Sequence, residues 1–178
     1  MTVLIAYMSV EGQTRKIAET IAEDIEGRGE RAALLNIASD QDFALIRPNA
    51  AILCAPVHSG HYPQPFFDFV RQEKDWLNSV PSAFISVSLS IISDDPEERA
   101  EAMGYADTLI AETGWAPGMV HHAAGALRFT EYDFFKRWMV RRVVAREKRP
   151  EDAARDYEFT NWAALNSFVD DFLDGARH

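Results

Sequence analysis

Short, nearly continuous apolar runs alternate with amphipathic stretches along most of this chain. Residues 2–8 (TVLIAYM) form the first run, the pattern of a strand buried on both faces of a parallel sheet. From Gln13 to about Gly27 the period changes: Ile17, Ile21 and Ile25 recur every fourth residue, with Ala18 and Ala22 beside them. Lys16, Glu19, Glu23 and Glu26 point elsewhere, so the spacing predicts an amphipathic helix closed by Gly27 and Gly29. The alternation continues with strands over 31–37, 50–55, 82–89 and 119–127. Helices are predicted over 64–76 (Phe66, Phe67, Phe69, Val70 and Trp76) and 97–112, the latter with Ala102, Met103, Ala106, Leu109 and Ile110 inward. Thr160 is the expected N-cap of a last helix carrying Trp162, Leu165, Phe168, Val169 and Phe172. Residues 146–158 are the most polar stretch and read as a loop.

Such alternation predicts a three-layer α/β fold with helices on both faces of a parallel sheet. Five strands give the flavodoxin-like order 2-1-3-4-5. The 178 residues suffice for one domain spanning 1–178, with an extended basic aromatic helical segment at about 130–149. The net charge of −10 argues against a nucleic-acid binder working through general electrostatics. The single cysteine, Cys54, forms no internal disulfide and reads as a small buried residue in a cytoplasmic protein. No secretory leader is visible, and no apolar run reaches the ~20 residues that cross a bilayer, so any membrane contact is expected to be peripheral.

In a doubly wound sheet, ligands sit at the carboxyl ends of the strands, where the strand order reverses. The loop after the first strand contains Ser9-Val10-Glu11-Gly12-Gln13-Thr14. It offers two hydroxyls, a glycine and backbone N–H groups at a helix start, the donors that a phosphate dianion needs. One glycine rules out the dinucleotide fingerprint, and no Gly-Lys-Ser/Thr follows, so NAD and ATP are disfavoured. A terminal phosphate monoester bound without lysine or arginine fits, and FMN is the common ligand of that kind.

The third strand runs into Pro56-Val57-His58-Ser59-Gly60-His61-Tyr62. This polar, aromatic loop would lie across the crevice from the first. Tyr62 or His61 is placed to lie against a flat ring, and the backbone to meet its polar edge. His121 and His122 are adjacent on a strand and therefore face opposite sides of the sheet, so at most one meets a ligand.

Several ordered stretches carry a family resemblance. They are Gly12-Gln13-Thr14-Arg15-Lys16-Ile17-Ala18, Ser59-Gly60-His61-Tyr62, Pro81-Ser82-Ala83-Phe84 with Ser86-Val87-Ser88-Leu89, Ala124-Gly125-Ala126-Leu127-Arg128-Phe129, and Thr160-Asn161-Trp162. On these the chain resembles the flavodoxin-fold, quinone-dependent protoporphyrinogen IX dehydrogenases of bacteria. The resemblance implies FMN, with its phosphate on Ser9 to Thr14 and its ring among residues 56–62 and Ser88, Leu89 and Ser90. It implies oxidation of protoporphyrinogen IX by a membrane quinone, usually menaquinone, with no protein acid–base triad. Where the family is basic after the fourth strand, this chain reads Ser90-Ile91-Ile92-Ser93-Asp94-Asp95-Pro96-Glu97-Glu98-Arg99. Acids bordering the substrate site there would repel propionates.

Residues 132–149 read YDFFKRWMVRRVVAREKR. Between Lys136 and Arg149 lie seven of the eighteen Lys and Arg, against the single acid Glu147. That local balance of +6 leaves −16 for the remainder of a chain whose total is −10. Aromatics interleaved with arginines suit an anionic membrane surface on the inner face of the cell membrane, where a quinone is found, or the carboxylates of a substrate. Arg128, after the last predicted strand, is the candidate for a substrate carboxylate. Two other functions fit the first loop: a flavodoxin-type electron carrier, and an FMN-dependent quinone reductase acting on another substrate.

Overall fold

The computed structural model describes residues 1–39, 47–127 and 157–177. Five parallel strands form one sheet in the order β2-β1-β3-β4-β5: β1 (Thr2–Tyr7), β2 (Arg31–Asn36), β3 (Ala50–Pro56), β4 (Ser82–Val87) and β5 (Met119–Ala123). Strand order reverses between β1 and β3, whose register runs from Val3 opposite Ala50 to Tyr7 opposite Cys54. This is the expected flavodoxin-like topology.

Alternate residues of the central strands feed two cores. Val3, Ile5 and Tyr7 pack with Ile17, Ile21 and Ile25 of α1 (Gln13–Gly27). The last helix, which follows β5 in space on the same face, adds Leu165, Phe168, Val169 and Phe172. Leu4 and Ala6 face the other way, toward Phe66, Val70 and Leu77 of α2 (Gln64–Leu77) and Ala106 and Leu109 of α3 (Pro96–Thr113). Each of the three α1 isoleucines is fully buried, which stabilises the helix on the sheet by about 1.5–3 kcal/mol per side chain.

Four expectations are corrected. The fourth strand ends at Val87, and Leu89–Ile92 is a short 3-10 turn capped by Ser88. The fifth ends at Ala123; beyond Gly125, β6 (Ala126–Leu127) pairs antiparallel with β7 (Tyr157–Glu158), which lies within the stretch expected to be a loop. Asn161, not Thr160, caps α4 (Trp162–Ala176), its side chain accepting from Ala164 N–H at 3.0 Å. Met103 is half exposed, because α3 buries the narrower stripe of Ala102, Ala106 and Leu109.

Cys54 is buried in the middle of β3, where desolvation pushes its thiol well above the ordinary range, so it is an inert packing residue. His121 packs on Phe168 of α4 with ring centroids 5.1 Å apart, while His122 is under the charge of Asp107 of α3, in keeping with imidazoles on opposite faces of the sheet. Burial lowers both pKa values, which favours the neutral imidazole in each.

Candidate functional site

A cleft of about 350 Å3 opens at the carboxyl ends of β1, β3, β4 and β5. Its floor at one end is the start of α1. Gly12 takes the left-handed conformation (φ 97°), which lets the chain turn directly into the helix. Its N–H donates to Ser9 Oγ at 3.0 Å, and its carbonyl accepts the first helical bond from Lys16 N–H at 3.0 Å. The N–H groups of Gln13, Thr14 and Arg15 precede that bond and have no partner within the helix. No acid occupies the first turn and no side chain caps it. The nearest cations are drawn aside: Arg15 binds Glu19 at 2.7 Å and Lys16 binds Glu158 at 2.5 Å. What faces the cleft is therefore a set of neutral donors at the positive end of a helix dipole, the chemistry of an anion seat.

The second wall is a tight hairpin. His58 and His61 exchange backbone hydrogen bonds of 2.8 and 3.1 Å, and the two residues between them, Ser59 (φ 50°) and Gly60 (φ 82°), both lie at positive φ. This is the pattern of a type I′ turn, whose central N–H groups the turn itself does not use. The third wall is Val87 to Ser90, where Ser88 Oγ accepts from Ser90 N–H at 3.2 Å.

The residues expected at the site divide accordingly. Val10, Glu11, Gln13, Thr14, Pro56, Val57, His58, Ser59, Gly60, Ser88, Leu89 and Ser90 line this cleft together. Ser9 and Gly12 shape the turn beneath it. Tyr62 does not reach it: the ring is 4% exposed, packs among Phe66, Phe67 and Phe84, and holds Ser86 Oγ at 2.8 Å. Burial pushes its phenol well up, so it is a neutral anchor under the hairpin and not a ring against a ligand. His61 is exposed on the hairpin's far side, where it and Tyr62 border a second depression. Arg128 and the basic segment lie outside the described residues.

Sequence reasoning missed Val87, Tyr105, Gly125 and Ala126 as lining residues. Tyr105 sits in mid-helix on α3 and reaches the rim of the cleft. Its hydroxyl donates to Glu101 at 2.7 Å; that bond first, then burial, pushes the phenol up to about 12. Gly125 and Ala126 follow the break in the fifth strand. They are tied to the anion seat by Thr160, whose hydroxyl donates to Ala124 O at 2.7 Å and accepts from Gln13 Nε2 at 2.9 Å.

The acidic stretch does not border the cleft. Asp95 caps α3 by accepting from Glu97 N–H at 2.8 Å, Glu97 and Glu98 occupy the favourable first turn of that helix, and Glu98 accepts from Ser93 Oγ. The cleft lining on this side ends at Ser90.

A model of the flavodoxin domain matches residues 4–154. The chain belongs to the flavodoxin domain family. Among solved structures, this flavodoxin domain is similar to oxidised flavodoxin 1 from Bacillus cereus, with a TM-score of 0.58 and 19% identity over 98% of each chain. It is equally similar in fold to a short-chain flavodoxin associated with a PDU bacterial microcompartment, with a TM-score of 0.58 and 14% identity over 99% of each. Among curated proteins, it is 29% identical over 170 residues to protoporphyrinogen IX dehydrogenase (quinone) of Escherichia coli strain K12, covering 95% of this chain and 93% of that one. A protein of the same name from Leishmania major is 28% identical over 95% of this chain and 73% of its own length.

Proposed function

We propose that this flavodoxin domain holds FMN in the cleft and oxidises protoporphyrinogen IX to protoporphyrin IX, with a membrane quinone as acceptor. The residues present fit the cofactor. The first turn of α1, with Ser9 and Thr14, would hold the phosphate; Val57, His58, Ser59 and Gly60 and Ser88 to Ser90 would flank the ring. FMN, when bound, supplies two-electron redox chemistry, so the six electrons of the substrate leave in three rounds. The protein's own part is positioning: aliphatic side chains of Val10, Val57, Val87 and Leu89 keep water off the cleft walls, and Ser59, Ser88 and Ser90 offer polar atoms at its rim. Among the titratable residues that line it, Tyr105 stays protonated at neutral pH, so no phenolate is available there.

The observation that carries this reading is where the basic segment joins the fold. Ala126 of β6 lines the cleft and β6 pairs with β7, so the two described strands that flank residues 128–156 in sequence are neighbours, one of them at the cleft wall. Arg128 is the first residue of that stretch in sequence and is the proposed partner of a propionate. A small electron carrier needs no such insertion. Asp95, Glu97 and Glu98, engaged at the start of α3 and off the cleft lining, offer no barrier to a carboxylate substrate. Anaerobic turnover of the FMN-loaded protein with protoporphyrinogen IX and a menaquinone analogue, followed by porphyrin fluorescence, is expected to exceed the uncatalysed control. A rate equal to the control would leave the electron carrier and the general quinone reductase.

The same segment is the candidate for peripheral contact with the inner face of the membrane. No helix among the described residues is long and apolar enough to cross a bilayer. Replacing Arg141 and Arg142 with Glu is expected to weaken co-sedimentation with phosphatidylglycerol vesicles at least about thirtyfold, since each basic residue near such a surface contributes about 1 kcal/mol. Unchanged binding would mean that these charges are merely solvated.

A further inference from the structure

We infer that the depression on the far side of the His58–His61 hairpin is the quinone site, separate from the approach used by the porphyrinogen. The inference rests on the functional reading above and assigns its second substrate a place.

The two depressions share Gly60 and Tyr105. Gly60 and Tyr105 belong to both walls and lie close together: a Cβ at Gly60, itself at φ 82°, would stand 3.4 Å from Tyr105 Oη. An occupant of the second would thus lie one side chain away from a ring held in the first. The second measures about 430 Å3, room for two fused rings, and is bordered by Phe67 and Tyr105 with His61, Gln64 and Thr108 at its edge.

Charge decides between the two substrates. Protoporphyrinogen IX carries two propionates and needs cations. The second depression has no Lys or Arg on its lining; its acid, Glu112, is matched by Arg71 at 3.7 Å, a cation already engaged there and over the Phe67 ring. A substrate with two carboxylates finds no uncommitted Lys or Arg on that lining, whereas a neutral, flat quinone needs none. The porphyrinogen is left the β6–β7 side, where the basic segment joins. Hydrogen bonds to quinone oxygens are available from His61 and from Gln64, whose amide spends one N–H on Asp68 and keeps the other. Thr108 spends its hydroxyl hydrogen on Gly104 O and serves as exposed edge only. In this arrangement the quinone gains two electrons from the reduced cofactor, takes up two protons and leaves as the quinol.

Thr108→Phe fills the depression from an exposed helical position without touching the anion seat. FMN-loaded protein reduced with dithionite and mixed anaerobically with menadione is expected to reoxidise at least about tenfold more slowly in this variant, while reduction by protoporphyrinogen IX stays within about twofold of the parent. Thr108→Ser is expected to match the parent in both. In a second readout, menadione added to isotopically labelled protein loaded with oxidised FMN should shift the amide resonances of Gln64, Phe67 and Thr108. Unchanged reoxidation, a selective loss of the porphyrinogen half-reaction, or shifts confined to other residues would each overturn the assignment. Dithionite makes the quinone half-reaction independent of the porphyrinogen, so a parent protein that porphyrinogen fails to reduce would refute the functional reading alone.

Discussion

Thr14→Asp is expected to abolish FMN binding while leaving the apoprotein folded. Thr14 is buried in the first turn of α1 and lines the cleft beside the N–H groups that no helical carbonyl uses. A carboxylate there accepts those same donors and is favoured by the helix dipole by about 0.3–1 kcal/mol, so the empty fold tolerates it. A phosphate at the seat meets a fixed negative charge. At an effective dielectric of about 20, two unit charges about 5 Å apart repel by about 3 kcal/mol, more than a hundredfold in affinity, and a dianion suffers more. Arg15 and Lys16 do not compensate, being paired with Glu19 and Glu158. Titration of flavin fluorescence with the apoprotein measures the loss directly, and Thr14→Ser, which keeps the hydroxyl, should bind within about threefold of the parent. If Thr14→Asp bound FMN normally, the phosphate would have to sit elsewhere.

The fold was legible because its signals are local. Ile17, Ile21 and Ile25 announce α1 by their spacing, and the nearly continuous apolar runs of β1 and β3 announce a sheet covered on both faces. The anion seat was legible for the same reason: strand, glycine turn and helix start are contiguous. What failed depends on partners distant in sequence. Tyr62 looked like a ligand contact because it follows Gly60-His61, yet its hydroxyl belongs to Ser86, 24 residues away, and its ring to Phe84. Thr160 looked like a cap because a hydroxyl precedes an apolar period; its partners are Ala124 and Gln13. Tyr105 gave no signal at all, since a helix pattern tells which residues are inward and not which cleft the rim overlooks. The acidic stretch is the reverse case. Asp95-Pro96-Glu97-Glu98 is a helix-start pattern readable from sequence, and comparison with a family drew attention to its charge instead.

Phe84→Ala is expected to be the costliest single truncation for stability, and to do nothing specific to the cofactor. Phe84 is fully buried on β4, stacked on Phe66 with centroids 5.7 Å apart, edge-on to Tyr62 at 5.3 Å and to Trp115 at 5.7 Å. Trp115 is itself fixed by its Nε1–H donating to Ser82 Oγ at 3.0 Å, so the ring cluster has little freedom to collapse into the void. Truncation of a buried Phe costs about 3–5 kcal/mol, a large share of the 5–15 kcal/mol that holds a typical domain together. In a domain of this size that lowers Tm by roughly 10 °C. Phe84→Leu fills most of the space and should recover more than half of the loss. The cleft supplies the contrast. FMN at a hundred times its Kd adds about 2.7 kcal/mol to any variant whose seat is intact. Phe84 lies in the aromatic layer beneath the hairpin and not on the lining, so the stabilisation by FMN should be the same in the parent and in Phe84→Ala. Thr14→Asp should show the opposite pattern, an apoprotein Tm near the parent's and no rise with FMN. Calorimetry of the three proteins with and without FMN separates a residue that holds the fold from one that holds the phosphate. A reduced FMN response in Phe84→Ala would mean that the packing of Tyr62 against Phe84 sets the hairpin's grip on the ring.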